Sequence, residues 1–207
     1  MYEDVLSPDA AKVFKVLRQR DFLRSFYLAG GTGCALHLGH RRSQDFDFFS
    51  QDAFEIFPLL NSLRNLGHFV ADYSDAGTLV GRLDGTKLGL FLYPYPLLKD
   101  TVDFLGWRVA SLTDIGCMKV DAISSRGTKR DFVDLFFVLK ALGLDLKGVF
   151  RHFERKYGRE GFNRHHVLKS LVYFEDADKD PDPEMLVDFS WSDTKLFFIA
   201  NVKAFGI

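Results

Sequence analysis

Phe26-Tyr27-Leu28-Ala29-Gly30-Gly31-Thr32, then Cys34 to Leu38, then Asp45-Phe46-Asp47-Phe48-Phe49-Ser50 is the stretch whose reading decides the fold. Four apolar residues stopped by two glycines read as a short strand and a turn, and Cys34 to Leu38 reads as a helix. Asp45 to Ser50 reads as a second strand. Because successive strand side chains face opposite ways, Asp45 and Asp47 fall on one face and Phe46 and Phe48 on the other.

Upstream, Ser7-Pro8-Asp9 is a helix start, with Ser as N-cap and Pro at the first helical position, and a first helix is expected to about Leu23. Downstream, a helix over about Ala53 to Leu66 precedes three strand-like runs, Phe69 to Tyr73, Thr78 to Leu83 and Lys87 to Tyr93, separated by Gly and Asp turns. From Ser111 the pattern becomes helical: Ser111 to Ser125, Asp131 to Leu142, Leu146 to Tyr157, Asn163 to Phe174, and a last helix near Thr194 to Ala204. The expected class is α/β (α+β), a small mixed sheet with flanking helices followed by a helical C-terminal half. The boundary falls in Leu97 to Arg108. Residues 1–108 then form the α/β core and 109–207 a helical region completing a cleft, the two making one compact unit.

Composition narrows the function classes. At 207 residues the chain accommodates one domain or a compact pair and should bury about 70% of its unfolded surface without staples. Twenty-seven basic against 28 acidic residues give a net charge of -1, which excludes a globally polybasic nucleic-acid binder but not a local basic cleft. Cys34 and Cys117 fit free buried thiols in a reducing compartment, and 22 Phe predict an aromatic core. The acidic start Met1-Tyr2-Glu3-Asp4 lacks a cationic n-region, and no run approaches the ~18 apolar residues of a membrane span, so a cytoplasmic protein is expected. The acidic tract Glu175 to Glu184 fails as a calcium loop, since Pro181 stands where Gly is needed and Val187 where Glu is needed; it reads as a solvated loop.

Four groups of residues could carry chemistry. Gly30, Gly31 and Thr32, between strand and helix, can offer unpaired N–H groups to phosphate, or can be a plain turn with an N-cap Thr. Neither the dinucleotide fingerprint nor a P-loop is present. Asp45 and Asp47 repel each other and resist burial unless something positive sits between them, which a divalent metal supplies; a solvent-facing edge strand is the alternative. Lys119 lies at the margin of the apolar stripe Ile115, Met118 and Ala122, facing an anion or snorkelling. Finally, Arg126-Gly127-Thr128-Lys129-Arg130-Asp131 runs into a helix that is apolar nearly all round. Asp131 can cap that helix with Thr128, and Asp134, a turn deeper, needs a cation, with Arg126, Lys129 and Arg130 nearest in sequence.

The run from Tyr27 through Gly30-Gly31-Thr32, Ala35-Leu36-His37, Arg41, Ser43, Asp45 and Asp47 to Phe49 resembles the nucleotidyltransferase family of AbiEii/AbiGii-type toxins in the polymerase-beta-like superfamily. Asp114-Ile115-x-x-Met118-Lys119 and Arg126-Gly127-x-x-Arg130-Asp131-Phe132-x-Asp134-Leu135 are similar to that family's later motifs, in order, so the resemblance spans Phe26 to Leu139. It implies transfer of a nucleoside monophosphate from a nucleoside triphosphate to an acceptor, RNA or tRNA, by the toxin of a type IV-like toxin–antitoxin pair with an antitoxin encoded nearby. It also implies Mg²⁺ on Asp45 and Asp47, nucleotide contacts from Gly30, Gly31, Thr32, Arg41, Ser43 and Lys119, and a cleft completed by Asp131 and Asp134.

The superfamily usually carries a third carboxylate on a following strand. Here Gly89 stands at that place, so Asp131 or Asp134 replaces it, one metal suffices, or the chain is a catalytically impaired nucleotide- or RNA-binding module. An Asp-x-Asp glycosyltransferase would explain the two carboxylates but not the Gly-Gly-Thr turn before them. Arg151, Arg155, Lys156, Arg159 and Arg164, interleaved with Phe153, Tyr157, Phe162, His165 and His166, are candidates for RNA contact.

Overall fold

The computed structural model describes residues 1–18 and 20–206. Its centre is a mixed sheet of seven strands: β1 (Tyr27–Leu28), β2 (Phe46–Ser50), β3 (Phe69–Asp75), β4 (Thr78–Leu83), β5 (Thr86–Leu92), β6 (Val102–Phe104) and β7 (Trp107–Val109). Their spatial order is β3-β4-β5-β2-β1-β7-β6. β1 pairs antiparallel with β2 and parallel with β7, while β2 pairs parallel with β5, placing Asp47 beside Gly89 and Phe49 beside Phe91. Paired residues share a face, so alternation divides this sheet cleanly.

One face is apolar. Phe46, Phe48, Leu88 and Leu90 are buried there with Phe14 and Leu17 of α1 (Pro8–Leu17) and Leu59 and Leu63 of α3 (Ile56–Arg64). Phe14 stacks on Phe46 with ring centroids 5.7 Å apart, and Phe48 lies 4.9 Å from Trp107. Full burial of each such side chain contributes about 1.5–3 kcal/mol, so this face anchors the sheet.

The other face receives α2 (Gly30–Leu38), α4 (Leu112–Ser125) and α5 (Lys129–Leu142), through a small cluster of Tyr27, Ala29, Cys34, Ile115 and Val138. α6 (Leu146–Tyr157), α7 (Arg164–Ser170) and α8 (Trp191–Lys203) build a second core around Phe132, Phe150, Phe153 and Phe198. Fully buried Asp114, at the start of α4, ties these layers together. It accepts from Lys156 Nζ at 2.9 Å, Ser111 Oγ at 2.7 Å and the N–H groups of Leu98 and Lys99. No helix among the described residues is long and apolar enough to cross a membrane.

Several expected boundaries move. The first helix ends at Leu17, and Asp21–Leu23 is a separate 3₁₀ turn; Gln19, inside the expected helix, lies outside the described residues. The helix expected from Cys34 starts at Gly30, so Gly30, Gly31 and Thr32 form its first turn rather than a loop before it. The last helix starts at Trp191, where Ser190 Oγ caps the N–H of Asp193. The β6–β7 hairpin was not anticipated and occupies the region expected to be a boundary. Its turn residues Leu105 and Gly106 both have positive φ, 53° and 84°, as in a two-residue hairpin of primed type.

Candidate active site

Asp45 stands just before β2 and Asp47 within it, both on the face turned toward α4 and α5. Gly30 makes room for Asp47: a Cβ at that position would lie 2.7 Å from Asp47 Oδ2, and the φ of +61° also favours glycine. Thr32 fixes the approach to the strand. Its hydroxyl shares a 2.6 Å bond with Ser43 Oγ and donates to the carbonyl of Asp45, so Thr32 is not an N-cap. Burial pushes the Asp47 carboxyl above its ordinary range, Lys119 and Arg126 pull it down, and Asp45 adds to the rise. Among the described residues no side chain forms a hydrogen bond or ion pair with either carboxylate.

The carboxylates of α5 are in the opposite condition. Asp134 is fully buried; its oxygens accept from Arg41 Nε at 2.7 Å, a terminal nitrogen of Arg41 at 2.8 Å and His40 Nε2 at 2.8 Å, and Lys119 Nζ forms an ion pair with it at 2.7 Å. The cation on Asp134 is thus Arg41, far away in sequence, joined by Lys119; it is not Arg126, Lys129 or Arg130. Gly31 explains how Arg41 gets there, since a Cβ on Gly31 would sit 2.5 Å from its guanidinium. Asp131 accepts from Lys119 Nζ at 2.9 Å, twice from Arg126, and from Thr128 Oγ1 at 2.7 Å. Thr128 therefore donates to Asp131, and the expected capping box is not formed. Burial alone would raise both carboxyls, but Lys119 and Arg126 hold Asp131 low, and Arg41 with Lys119 holds Asp134 well below its ordinary range.

These elements enclose a cleft of about 620 Å³. Gly31, Thr32, Arg41, Ser43, Asp45, Asp47, Lys119 and Asp131 all line it, with Lys87, Arg126 and Arg130 adding positive charge. A smaller pocket of about 240 Å³ adjoins it, sharing Asp47, Lys119 and Arg126 and exposing Gly30. Asp134 lines neither and lies beneath the floor. Along the rim runs Asp180-Pro181-Asp182-Pro183-Glu184, where Lys129 Nζ donates to the Asp180 carbonyl at 2.6 Å and to Asp182 at 3.0 Å, and Arg42 pairs with Glu184 at 3.4 Å.

Sequence reasoning did not single out three of these residues for the site. His40 reaches Asp134 only through the fold. Lys87 could have been found by alternation, being two residues from Gly89 on the same strand face. Arg126 carried a cue in the Arg-Gly opening its motif. The basic tract after Lys147 is not one surface: Lys156 turns inward to Asp114, Phe153 is core, and Arg159 and Arg164 pair with Glu154, leaving Arg151 and Arg155 exposed.

Gly89, the register partner of Asp47, carries no acid, and the space above it is filled. A Cβ there would meet the Phe91 ring at 2.4 Å and Asp47 Oδ1 at 3.1 Å.

A family model described as the nucleotidyl transferase AbiEii toxin of type IV toxin–antitoxin systems matches residues 92–194. Over 184 residues the chain is 39% identical to the uncharacterized protein aq_aa25 of Aquifex aeolicus (strain VF5), covering 87% of each. Two solved structures share the fold: JHP933 of Helicobacter pylori, with TM-score 0.53 and 17% identity over 96% of this chain and 92% of that one, and a candidate nucleotidyltransferase from the same species, with TM-score 0.56 and 15% identity over 99% and 95%.

Proposed function

We propose that this chain, which belongs to the AbiEii family of nucleotidyl transferase toxins, moves a nucleoside monophosphate from a nucleoside triphosphate to an acceptor hydroxyl in the cleft between β2 and the α4–α5 pair. One contrast carries this reading. Asp114, Asp131 and Asp134 are each matched to a buried lysine or to Arg41, whereas Asp45 and Asp47, side by side at the cleft wall, have no side-chain hydrogen bond or ion pair among the described residues. Two adjacent carboxylates with free oxygens suit a hard divalent cation, and Mg²⁺ fits an all-oxygen set that leaves positions for triphosphate. When bound there it supplies charge neutralisation for the pyrophosphate leaving group.

The protein's own groups do the rest. Lys119, held by Asp131 and Asp134, keeps a fixed positive charge at the cleft, and Arg126 is aimed by the same Asp131. Charges locked before substrate arrives need no reorganisation as negative charge develops on the phosphates, which is where electrostatic catalysis gains most. The N-terminal turn of α2 adds backbone N–H groups of Gly30 and Gly31 for phosphate oxygens. In this reading Asp131 and Asp134 act as positioning residues for cations. The acceptor we infer is RNA, with tRNA first, on the strength of the family's toxin role and of exposed Arg151 and Arg155. The type IV family description favours an antitoxin partner.

Thermal denaturation with Mg²⁺ and triphosphate, together with radiolabel transfer to total tRNA, tests this. Wild-type protein should be stabilised by Mg²⁺ with triphosphate, by about 2.7 kcal/mol at a hundredfold excess over Kd, and should label RNA. Asp45→Asn and Asp47→Asn should lose both responses, while the metal-free proteins melt no lower than wild type because like-charge repulsion is relieved. A ligand shift that survives both substitutions sinks the metal-site assignment. Binding without labelling favours the impaired binding module, the reading that Gly89 supports.

A further inference from the structure

The smaller pocket has a composition unlike that of the main cleft. Phe49, Phe91 and Tyr93 line one side, with the Phe49 ring 5.4 Å from both Phe91 and Tyr93. The facing wall is one stripe of α4: Met118, Asp121, Ala122 and Ser125, spaced three, four and seven residues on and so on a single helix face. Its volume, about 240 Å³, suits a base with its sugar rather than a whole nucleotide. At its inner end are Asp47 and Lys119, where the triphosphate of the proposed reaction would lie.

Asp121 is the one acid of this helix stripe, and it is exposed to what enters the pocket. It is the pocket's acid other than Asp47, and among the described residues no side chain donates to it or pairs with it. Its carboxylate is exposed at the pocket wall, where partial desolvation raises it above the ordinary range. A carboxylate can only accept hydrogen bonds, so beside an aromatic shelf that stacks any base it discriminates by what the base edge donates. An exocyclic amine on guanine, adenine or cytosine gives such a donor. Uracil instead offers two carbonyls flanking one N–H, setting oxygen lone pairs against the carboxylate.

We propose that Asp121 is a base-reading residue that makes this pocket select nucleoside triphosphates bearing an exocyclic amine and reject uridine triphosphate. The proposal rests on the cleft being a nucleotide site, and the test separates the two. Calorimetric titration of the full chain with each of the four ribonucleoside triphosphates in Mg²⁺ should give UTP on the order of tenfold weaker binding than the best of the other three. Asp121→Asn, whose amide can donate to a uracil carbonyl, should move the ratio of UTP to CTP affinity toward UTP by on the order of tenfold. Asp121→Ala should level the four, and Phe91→Leu should weaken all four together. Four equal affinities for wild type, an unchanged ratio in Asp121→Asn, or an equal loss for all four in that variant each overturn base reading while leaving the cleft a nucleotide site. If wild-type protein binds none of the four, the nucleotide reading falls and this proposal falls with it.

Discussion

Replacing Asp134 with alanine removes an acceptor from under three donors, and the structure says where the loss will be felt. Lys119 would keep its 2.9 Å contact to Asp131, but Arg41 would retain only a 2.8 Å bond to the Arg42 carbonyl, and His40 would lose its partner at 2.8 Å. Arg41 and His40 are almost wholly buried, so water replaces the lost acceptor poorly. Removing one side of a buried ion pair costs about 3–5 kcal/mol, chiefly for the stranded charge. For a chain of this length that corresponds to a melting temperature lower by roughly 6–20 °C. Asp131→Ala should cost less, because Arg126 is 63% exposed at its side chain and can return to solvent. Urea unfolding at pH 7 without metal or nucleotide, read as a shift in midpoint at constant slope, measures both. A loss below about 1 kcal/mol for Asp134→Ala, or one smaller than for Asp131→Ala, would refute the claim that Asp134 is the organising carboxylate beneath the cleft.

Gly89→Asp, which restores the superfamily's third acid on paper, should destabilise the protein by about 1–3 kcal/mol, because the new side chain meets the Phe91 ring and Asp47; adding Phe91→Ala should recover part of that loss, and recovery of none in urea unfolding would show that Phe91 is not the obstacle. Asp131 and Asp134 are both held below their unfolded value of 3.8, so the stability they contribute is complete above that pH and is lost as pH falls below it toward their folded values. Acid titration of the melting temperature should therefore show a drop below about pH 4 that is smaller in Asp134→Ala, and an identical drop in that variant would contradict the assignment.

The local patterns in the sequence were enough for the elements that carry the site. Strand alternation placed Asp45 and Asp47 on one face opposite Phe46 and Phe48, and the apolar residues nearly all round α5 announced its burial. What stayed illegible depended on partners distant in sequence. β6 and β7 are three residues each, too short for a periodicity, and β7 joins the sheet through pairing of Val109 with Leu28. Asp134 was rightly expected to need a cation, yet proximity in sequence pointed to Arg126, Lys129 and Arg130, because nothing local says that Arg41 passes over Gly31 of α2 to reach Asp134. That Gly31 also makes room for the Arg41 guanidinium was hidden for the same reason.

The rim segment Asp180-Pro181-Asp182-Pro183-Glu184 has no helix or strand to hold it, and its order comes from Lys129, Arg42 and a few backbone bonds. Two of its five residues are prolines, whose fixed φ leaves the unfolded segment few conformations to give up. Each proline saves about 0.4–1 kcal/mol of ordering entropy relative to a freer residue. A wall of the cleft is thereby kept in place by a handful of contacts, because the chain arrives there already nearly straight.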